Sequence, residues 1–244
     1  MKSGSRLSFA LFLFSFTAIC VLLALTSLFF CKWGASDAAT NMRDSPSLPV
    51  IIIDAGHGGE DGGAVSKSGI LEKELNLSIS KRLCDIFRTA GFEVVMTRET
   101  DTMLYDKSAD YKGRKKELDL GKRVEIANSY ENAIFISIHM NSFPDAKYSG
   151  LQVYYSKNHQ DSAEIAENIQ SLVRDSLQKE NNRQTKSAGQ NIFVLDRIRI
   201  PAVLIECGFL SNAEECQRLT DEEYQKKLSL AIFLSVAKYI DKIP

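Results

Sequence analysis

Two histidines and two carboxylates occupy positions from which they could act together on a metal ion. His57 follows a short β-branched run in a glycine-rich loop, and His139 ends a second apolar run. Glu206 ends a third such run, and Glu72 stands where a helix is predicted to begin. Two histidines and one carboxylate leave a fourth position for water, which is the pattern of catalytic zinc sites. The remaining carboxylate could then move the proton during hydrolysis.

Each of these residues also has a structural interpretation. His57 could be a turn residue, His139 a hydrogen-bonded core histidine, and Glu72 an acid favoured at a helix N-terminus. Glu206 is harder to explain in this way, because a carboxylate that follows the apolar residues 203–205 needs a partner. No HExxH-type motif links the candidate ligands, so the prediction depends on the fold bringing them together.

The hydrophobic pattern predicts such a fold. Six short apolar runs are interleaved with helical periodicities, which indicates an α/β sandwich with a largely parallel sheet. In such a sheet, the carboxyl ends of strands and the starts of the following helices lie on one edge, where ligands bind. The predicted strands are residues 50–53, 93–97, 134–138, 150–155, 192–195 and 202–205.

Composition excludes two broad classes of protein. The chain has 244 residues, with 30 Lys and Arg against 31 Asp and Glu, and a formal net charge of −1. This balance is not that of a general nucleic-acid binder, so no nucleic-acid partner is predicted. A hydrophobic fraction of 44% and a charged fraction of 25% are ordinary for a packed globular protein and exclude disorder of the whole chain.

An apolar stretch near the N-terminus predicts export. Residues 7–31 contain no charged side chain, and as a helix they would exceed the roughly 30 Å thickness of the hydrocarbon core. Lys2 and Arg6 precede the stretch, which favours a cytosolic N-terminus and places the rest of the chain outside. We expect an uncleaved membrane helix; the alternative is a cleaved signal peptide. The protein is therefore predicted to be membrane-anchored or secreted, with its working domain outside the cytoplasm.

This pattern predicts three regions. Residues 1–31 are the signal-anchor or transmembrane segment, residues 32–49 are a polar linker, and residues 50–244 are the catalytic domain.

Three further residues are predicted to bind substrate. Arg98 and Arg123 flank a charged stretch, residues 99–121, which is either a solvated loop or a border of the cleft that meets substrate carboxylates. Asn141 lies three residues beyond the end of the predicted third strand and is the third candidate.

Five other residues have less specific interpretations. Asp54 and Asp61 are either turn formers or carboxylates that orient a ligand histidine. Cys84, Cys207 and Cys216 show no CxxC spacing and are expected to be small buried apolar residues, with one disulfide as the alternative.

Several motifs carry a resemblance to a known family. They lie in the order DAGHGG (54–59), EKELNL (72–77), TR (97–98), residues 123–128, SIHMN (137–141) and residues 201–212. With these motifs the chain resembles the zinc-dependent N-acetylmuramoyl-L-alanine amidases of the Amidase_3 family over roughly residues 50–240. Ala55 stands where the family more often has proline, and this departure leaves the candidate ligands untouched.

The resemblance implies specific roles. One zinc ion would be bound by His57, Glu72 and His139, and Glu206 would be the catalytic carboxylate. The implied fold is a three-layer α/β/α sandwich with a six-stranded mixed, largely parallel sheet. The implied substrate is peptidoglycan, meaning glycan strands that carry stem peptides, and the partners would be the membrane, through the N-terminal helix, and an accessory activator protein.

Within the family, the chain is most similar to the amidases that act on the spore cortex. Such an enzyme would remove the stem peptide from muramic acid, as a step toward muramic δ-lactam. Two alternatives remain: a zinc peptidase that acts on the stem peptide itself, and a catalytically silent wall-binding protein. Silent relatives typically lose a ligand or the catalytic glutamate, and all four residues are present here.

Overall fold

The computed structural model describes residues 47–106, 108 and 112–242, together with residue 26. The predicted membrane segment, residues 1–31, lies outside this part of the chain apart from residue 26, as does the predicted linker up to residue 46. Among the described residues, no helix is both long enough and apolar enough to cross a membrane. The boundaries 1–31, 32–49 and 50–244 stay predictions.

Helices and strands alternate along the described chain. The strands are β1 (Val50–Ala55), β2 (Val94–Met96), β3 (Ala133–Asn141), β4 (Gln152–Tyr155), β5 (Lys186–Ser187) and β6 (Ala202–Phe209). The helices are α1 (Glu72–Thr89), α2 (Lys115–Asn128), α3 (Ser162–Leu177), α4 (Phe193–Arg197), α5 (Ala213–Thr220) and α6 (Glu222–Ile240).

The six strands form one sheet in the order β2-β1-β3-β6-β4-β5. Strand β1 pairs in parallel with β2 and β3, and β3 pairs in parallel with β6. Strand β4 runs antiparallel to β6 and parallel to β5. The predicted six-stranded, mixed and largely parallel sheet is therefore confirmed.

Helices cover both faces of this sheet and give it two cores. Helices α1, α3, α5 and α6 pack on one face, and α2 and α4 pack on the other. Strand β1 shows why its sequence is a continuous β-branched run: Ile51 and Ile53 enter the first core while Ile52 enters the second. Successive side chains of the strand point to opposite faces of the sheet, and both faces are covered by helices, so every side chain of the run is buried. The molecule therefore has three layers, α/β/α.

One predicted strand is wrong. The segment predicted as strand 192–195 belongs largely to the short helix α4, and the sixth strand is the two-residue β5 instead. A short apolar run does not by itself distinguish a strand from a buried helix, because both bury consecutive apolar residues. Strand β5 consists of the exposed Lys186 and Ser187, so its sequence carries no hydrophobic signal.

Two other strands are longer than predicted, and the cysteines are buried as predicted. Strands β3 and β6 extend beyond their predicted ends, so His139 and Glu206 lie within strands and not at their ends. Cys84, Cys207 and Cys216 are buried and free, which confirms their interpretation as small core residues.

Candidate active site

The polar residues of the site share one face of the sheet because of the strand register. On β3, Phe135 packs into the core under α2 and α4, and Ser137 and His139 follow it at intervals of two. On β6, Leu204 packs in the same core and Glu206 follows. His139 and Glu206 are direct partners across the two strands. On this face of the sheet, the earlier residues of each strand are apolar and pack in the core, and the later residues are polar and border the cleft.

His57, Glu72 and His139 converge as predicted. Each offers one donor atom, and the three donor atoms lie within 4.8 Å of one another. Oε1 of Glu72 is 2.9 Å from Nδ1 of His139 and 3.2 Å from Nε2 of His57. Two imidazoles and one carboxylate at this spacing fit the donor set of a catalytic zinc site. The candidate metal site is therefore built from the loop after β1, the start of α1 and the last residues of β3.

Glu72 is fixed by the backbone around it. It is the first residue of α1, its Oε1 accepts from the Met140 amide at 3.0 Å, and its Oε2 accepts from the Ala64 amide at 2.8 Å. Burial acts to raise the pKa of Glu72, but hydrogen bonds and charges from His139 and His57 outweigh it and lower the pKa. The carboxylate is thus ionised, as a metal ligand must be.

His57 is held in an unusual backbone conformation. Its φ is 60°, in the left-handed region that residues other than glycine rarely adopt. Its Nδ1 lies 2.9 Å from Oδ2 of Asp61, so Asp61 orients the imidazole. Burial works to lower the pKa of His57, yet the nearby carboxylates of Asp61 and Glu72 raise it to about 9. Backbone strain of this kind is typical of functional sites.

Two glycines allow the His57 loop to approach the other ligands. A Cβ on Gly56 would lie 2.3 Å from Nε2 of His139. A Cβ on Gly63 would lie 2.5 Å from Oε2 of Glu72 and 2.8 Å from Cδ2 of His57. The loop backbone therefore forms one wall of the ligand cluster.

We expect Gly63→Ala to weaken metal binding strongly and Gly69→Ala to leave it unchanged. Both glycines have positive φ, 69° and 87°, so both substitutions cost about 1–3 kcal/mol of backbone strain. Only the Cβ at Gly63 meets the ligand cluster, because nothing lies within 4 Å of the position at Gly69. Zinc titration of both variants checks this, with denaturant unfolding to match their stabilities. Equal zinc affinities would show that the loop does not shape the site.

Arg123 lies beneath the site and holds it to α2. It is 1% exposed, and it donates to Oδ1 of Asp54 at 2.5 Å and to Oδ2 of Asp119 at 2.8 Å. It also donates to the backbone oxygens of Ala55 and His57, at 2.9 and 2.8 Å. Burial acts to raise the pKa of Asp54, but the charge of Arg123 and hydrogen bonds outweigh it and lower the pKa. Asp54 thus anchors Arg123, and it also accepts hydrogen bonds from the side chains of Thr97 and Ser137.

Arg98 also holds backbone segments of the site together. Its guanidinium donates to the backbone oxygens of Ala55 (2.8 Å), Gly56 (3.0 Å), Lys73 (2.9 Å) and Thr100 (3.0 Å). It thereby ties the His57 loop to the first turn of α1, which carries Glu72. Arg98 and Arg123 are thus both buried in contacts with the backbone, and Arg123 also lines the cleft. Asn141 lines the same cleft and is partly exposed.

Arg123→Ala should destabilise the protein by about 3–5 kcal/mol, because it leaves two buried carboxylates without their cation. Arg114→Ala is the matched control, since Arg114 is an exposed arginine that precedes the same helix. Urea unfolding monitored by circular dichroism gives both values. A loss of less than about 1 kcal/mol for Arg123→Ala would mean that Asp54 and Asp119 find other partners.

Glu206 borders a cleft beside the ligand cluster. The cleft has a volume of about 420 Å³, and its apolar wall consists of Leu120, Tyr154, Ile192, Phe193, Val194 and Leu204. Oε2 of Glu206 is buried and has no hydrogen-bond partner among the described residues. Burial raises the pKa of this carboxyl, and Glu72 adds to the effect while His139 and His57 oppose it. A carboxylate beside a cleft, with one oxygen that no described residue satisfies, is suited to exchanging protons with a bound substrate.

Two supporting contacts were not predicted from the sequence. The Asn76 side chain donates to the Gly56 oxygen at 3.1 Å and to Glu72 at 3.3 Å. Nζ of Lys73 donates to Oδ2 of Asp101 at 2.7 Å, which joins the first turn of α1 to the loop that follows β2. The spacing of four residues between Glu72 and Asn76 was the available signal, because it places both on one helix face.

Comparison with known proteins identifies the family. The family model Amidase_3, described as N-acetylmuramoyl-L-alanine amidase, matches residues 51–238. The chain belongs to this family. The resemblance carried by the motifs is therefore confirmed, and with it the activity: the protein is an N-acetylmuramoyl-L-alanine amidase.

Individual relatives agree with this assignment. The germination-specific N-acetylmuramoyl-L-alanine amidase of Bacillus subtilis is 36% identical over 197 residues, which cover 79% of this chain and 82% of the relative. Among solved structures, the CwlD amidase of Clostridioides difficile, in complex with the GerS lipoprotein, has 42% identity and a TM-score of 0.75. That match covers 79% of this amidase and 98% of CwlD. AmiC2 of Nostoc punctiforme has 31% identity and a TM-score of 0.69, covering 81% and 100%.

Proposed function

We propose that the amidase is zinc-dependent, that His57, Glu72 and His139 hold one zinc ion, and that Glu206 is the catalytic carboxylate. The observation that carries this proposal is the convergence of three donor atoms within 4.8 Å beside a cleft bordered by Glu206. The bond cleaved is the amide between the lactyl group of N-acetylmuramic acid and L-alanine. A zinc ion held here would supply Lewis-acid activation of the scissile carbonyl and of water.

Glu206 would transfer the proton in both halves of the reaction. Its carboxylate accepts a proton from the attacking water and returns it to the nitrogen of L-alanine, which leaves as an amine. The position of Glu206, opposite His139 across two paired strands, supports this role. So does its Oε2 atom, which no described residue satisfies.

Other residues would prepare the site. Asn141 follows His139 on the same face of β3 and borders the cleft, where its amide can hydrogen-bond the substrate. Arg98 and Arg123 act as positioning residues, because their N–H groups hold the backbone around His57.

We further propose that the substrate is peptidoglycan of the spore cortex, as a step toward muramic δ-lactam. Support comes from the relatives, one of which is named germination-specific and another of which was solved with a lipoprotein. By the same comparison, an accessory lipoprotein is the proposed partner. The uncharged residues 7–31 support a domain that works outside the cytoplasm, tethered by a membrane segment or secreted.

Mass spectrometry of the products tests this function. Spore peptidoglycan treated with the zinc-loaded full chain should release stem peptides that begin with a free L-alanine amine, and the glycan should keep bare lactyl groups. Shortened stem peptides still attached to muramic acid would contradict the proposal and indicate a peptidase. Spores that lack the gene should lose muramic δ-lactam, and unchanged lactam would contradict the cortex role.

A further inference from the structure

Lys116 is a cation at the cleft that the proposed reaction does not use. It lies in the first turn of α2, its side chain is 65% exposed, and it borders the same cleft as Glu206. Among the described residues of the cleft lining, the other Lys or Arg is Arg123, whose N–H groups are taken by Asp54, Asp119 and backbone oxygens. Lys116 is therefore the cation there that can meet a ligand.

Helix stability does not explain this lysine. Positive charges are unfavourable at a helix N-terminus, where the backbone dipole favours anions. Arg114, Lys115 and Lys116 nevertheless occupy the start of α2, and Glu117 is the acidic residue of that turn. Nζ of Lys115 lies 2.6 Å from Oε2 of Glu60, so Lys115 is engaged in a different ion pair. A local arrangement that opposes helix stability suggests a function for the exposed cation.

Lys116 also lies close to the candidate ligands. Its Nζ is 3.4 Å from Oδ2 of Asp61, and the same oxygen is 2.9 Å from Nδ1 of His57. The ammonium group is thus one carboxylate away from a ligand of the metal site. A stem peptide whose first amide bond lies at that site would place its next residue nearby, since one residue spans only about 3.3–3.6 Å.

We propose that Lys116 binds a carboxylate of the stem peptide, namely the α-carboxylate of the γ-linked D-glutamate that follows L-alanine. The amidase would then prefer stem peptides with the free acid over those with the carboxamide. The proposal rests on the proposed function, which places the L-alanine amide at the zinc site. Without substrate, Lys116 pairs with Asp61; with substrate bound, Lys116 would pair with the substrate carboxylate instead. The Lys116 side chain is exposed, so it is free to make this movement.

Two substrates that differ in one group test this proposal. They are N-acetylmuramoyl stem peptides with either D-glutamate or D-isoglutamine at the second position. The wild-type chain should have a kcat/KM about tenfold higher for the acid. Lys116→Met should lose this preference, mainly through a higher KM for the acid, and Lys116→Arg should restore it. Lys122→Met is the matched control, since Lys122 is an exposed lysine of α2 that pairs with Glu125.

The ratio between the two substrates is the deciding quantity, because the folded fraction and the zinc content of a variant cancel in it. A ratio unchanged by Lys116→Met would overturn the proposal. An equal loss on both substrates would also overturn it, since Lys116 would then act through Asp61 and His57. If the wild-type chain cleaves neither compound, the proposed function fails, and this inference fails with it.

Discussion

Glu206→Gln should lower kcat by about 10²–10⁴-fold while leaving zinc bound. Glutamine keeps nearly the same shape but cannot accept a proton from the attacking water. The side chain borders the cleft and lies beside, and outside, the cluster formed by His57, Glu72 and His139. The measurement is steady-state turnover at saturating zinc, with the metal content of each preparation determined in parallel.

Glu214→Gln is the control for this variant, because Glu214 is an exposed carboxylate near the start of α5. It should have wild-type turnover. The roles assigned to the two carboxylates would have to be exchanged if Glu206→Gln lost zinc while Glu72→Gln retained it.

Removal of the metal should abolish hydrolysis and leave the fold largely intact. The two cores on either side of the sheet are apolar and extend well away from the candidate site, unlike those of a zinc finger, which folds only with metal. Chelation followed by circular dichroism and an activity assay checks both halves of this expectation. Full activity in a rigorously metal-free preparation would contradict the zinc mechanism.

Single histidine variants localise the metal. His57→Ala and His139→Ala should each lose zinc affinity and activity. His159→Ala is the control, since His159 lies apart from the site, in a pocket with Pro49 and Ala133 at the starts of β1 and β3. Loss of zinc from His159→Ala at a retained fold would place the metal elsewhere.

The sequence correctly predicts the strands that are buried on both faces of the sheet. The β-branched run of β1 and the apolar runs of β3 and β6 are read correctly, because buried parallel strands require consecutive apolar residues. The convergence of His57, Glu72 and His139 follows from the same topology. Segment α4 is misread, since a four-residue apolar run is equally compatible with a helix.

The positions of the two arginines show where sequence reasoning ends. Arg98 and Arg123 flank the charged residues 99–121, so the sequence predicts that they lie beside a solvated loop or at the cleft border. Their burial depends on backbone oxygens and on Asp54, which are distant in sequence and become neighbours only in the folded chain. The pairing of Asp119 with Arg123 is the exception, because a spacing of four residues on α2 indicates it.

Anomalous diffraction at the zinc absorption edge, from crystals of the zinc-loaded protein, tests the proposed centre most directly. We expect one strong peak bounded by His57, Glu72 and His139, with ligand distances of about 2.0–2.2 Å and with Glu206 outside the coordination sphere. A peak elsewhere, no peak in an active preparation, or Glu206 coordinating in place of Glu72 would contradict the proposed centre.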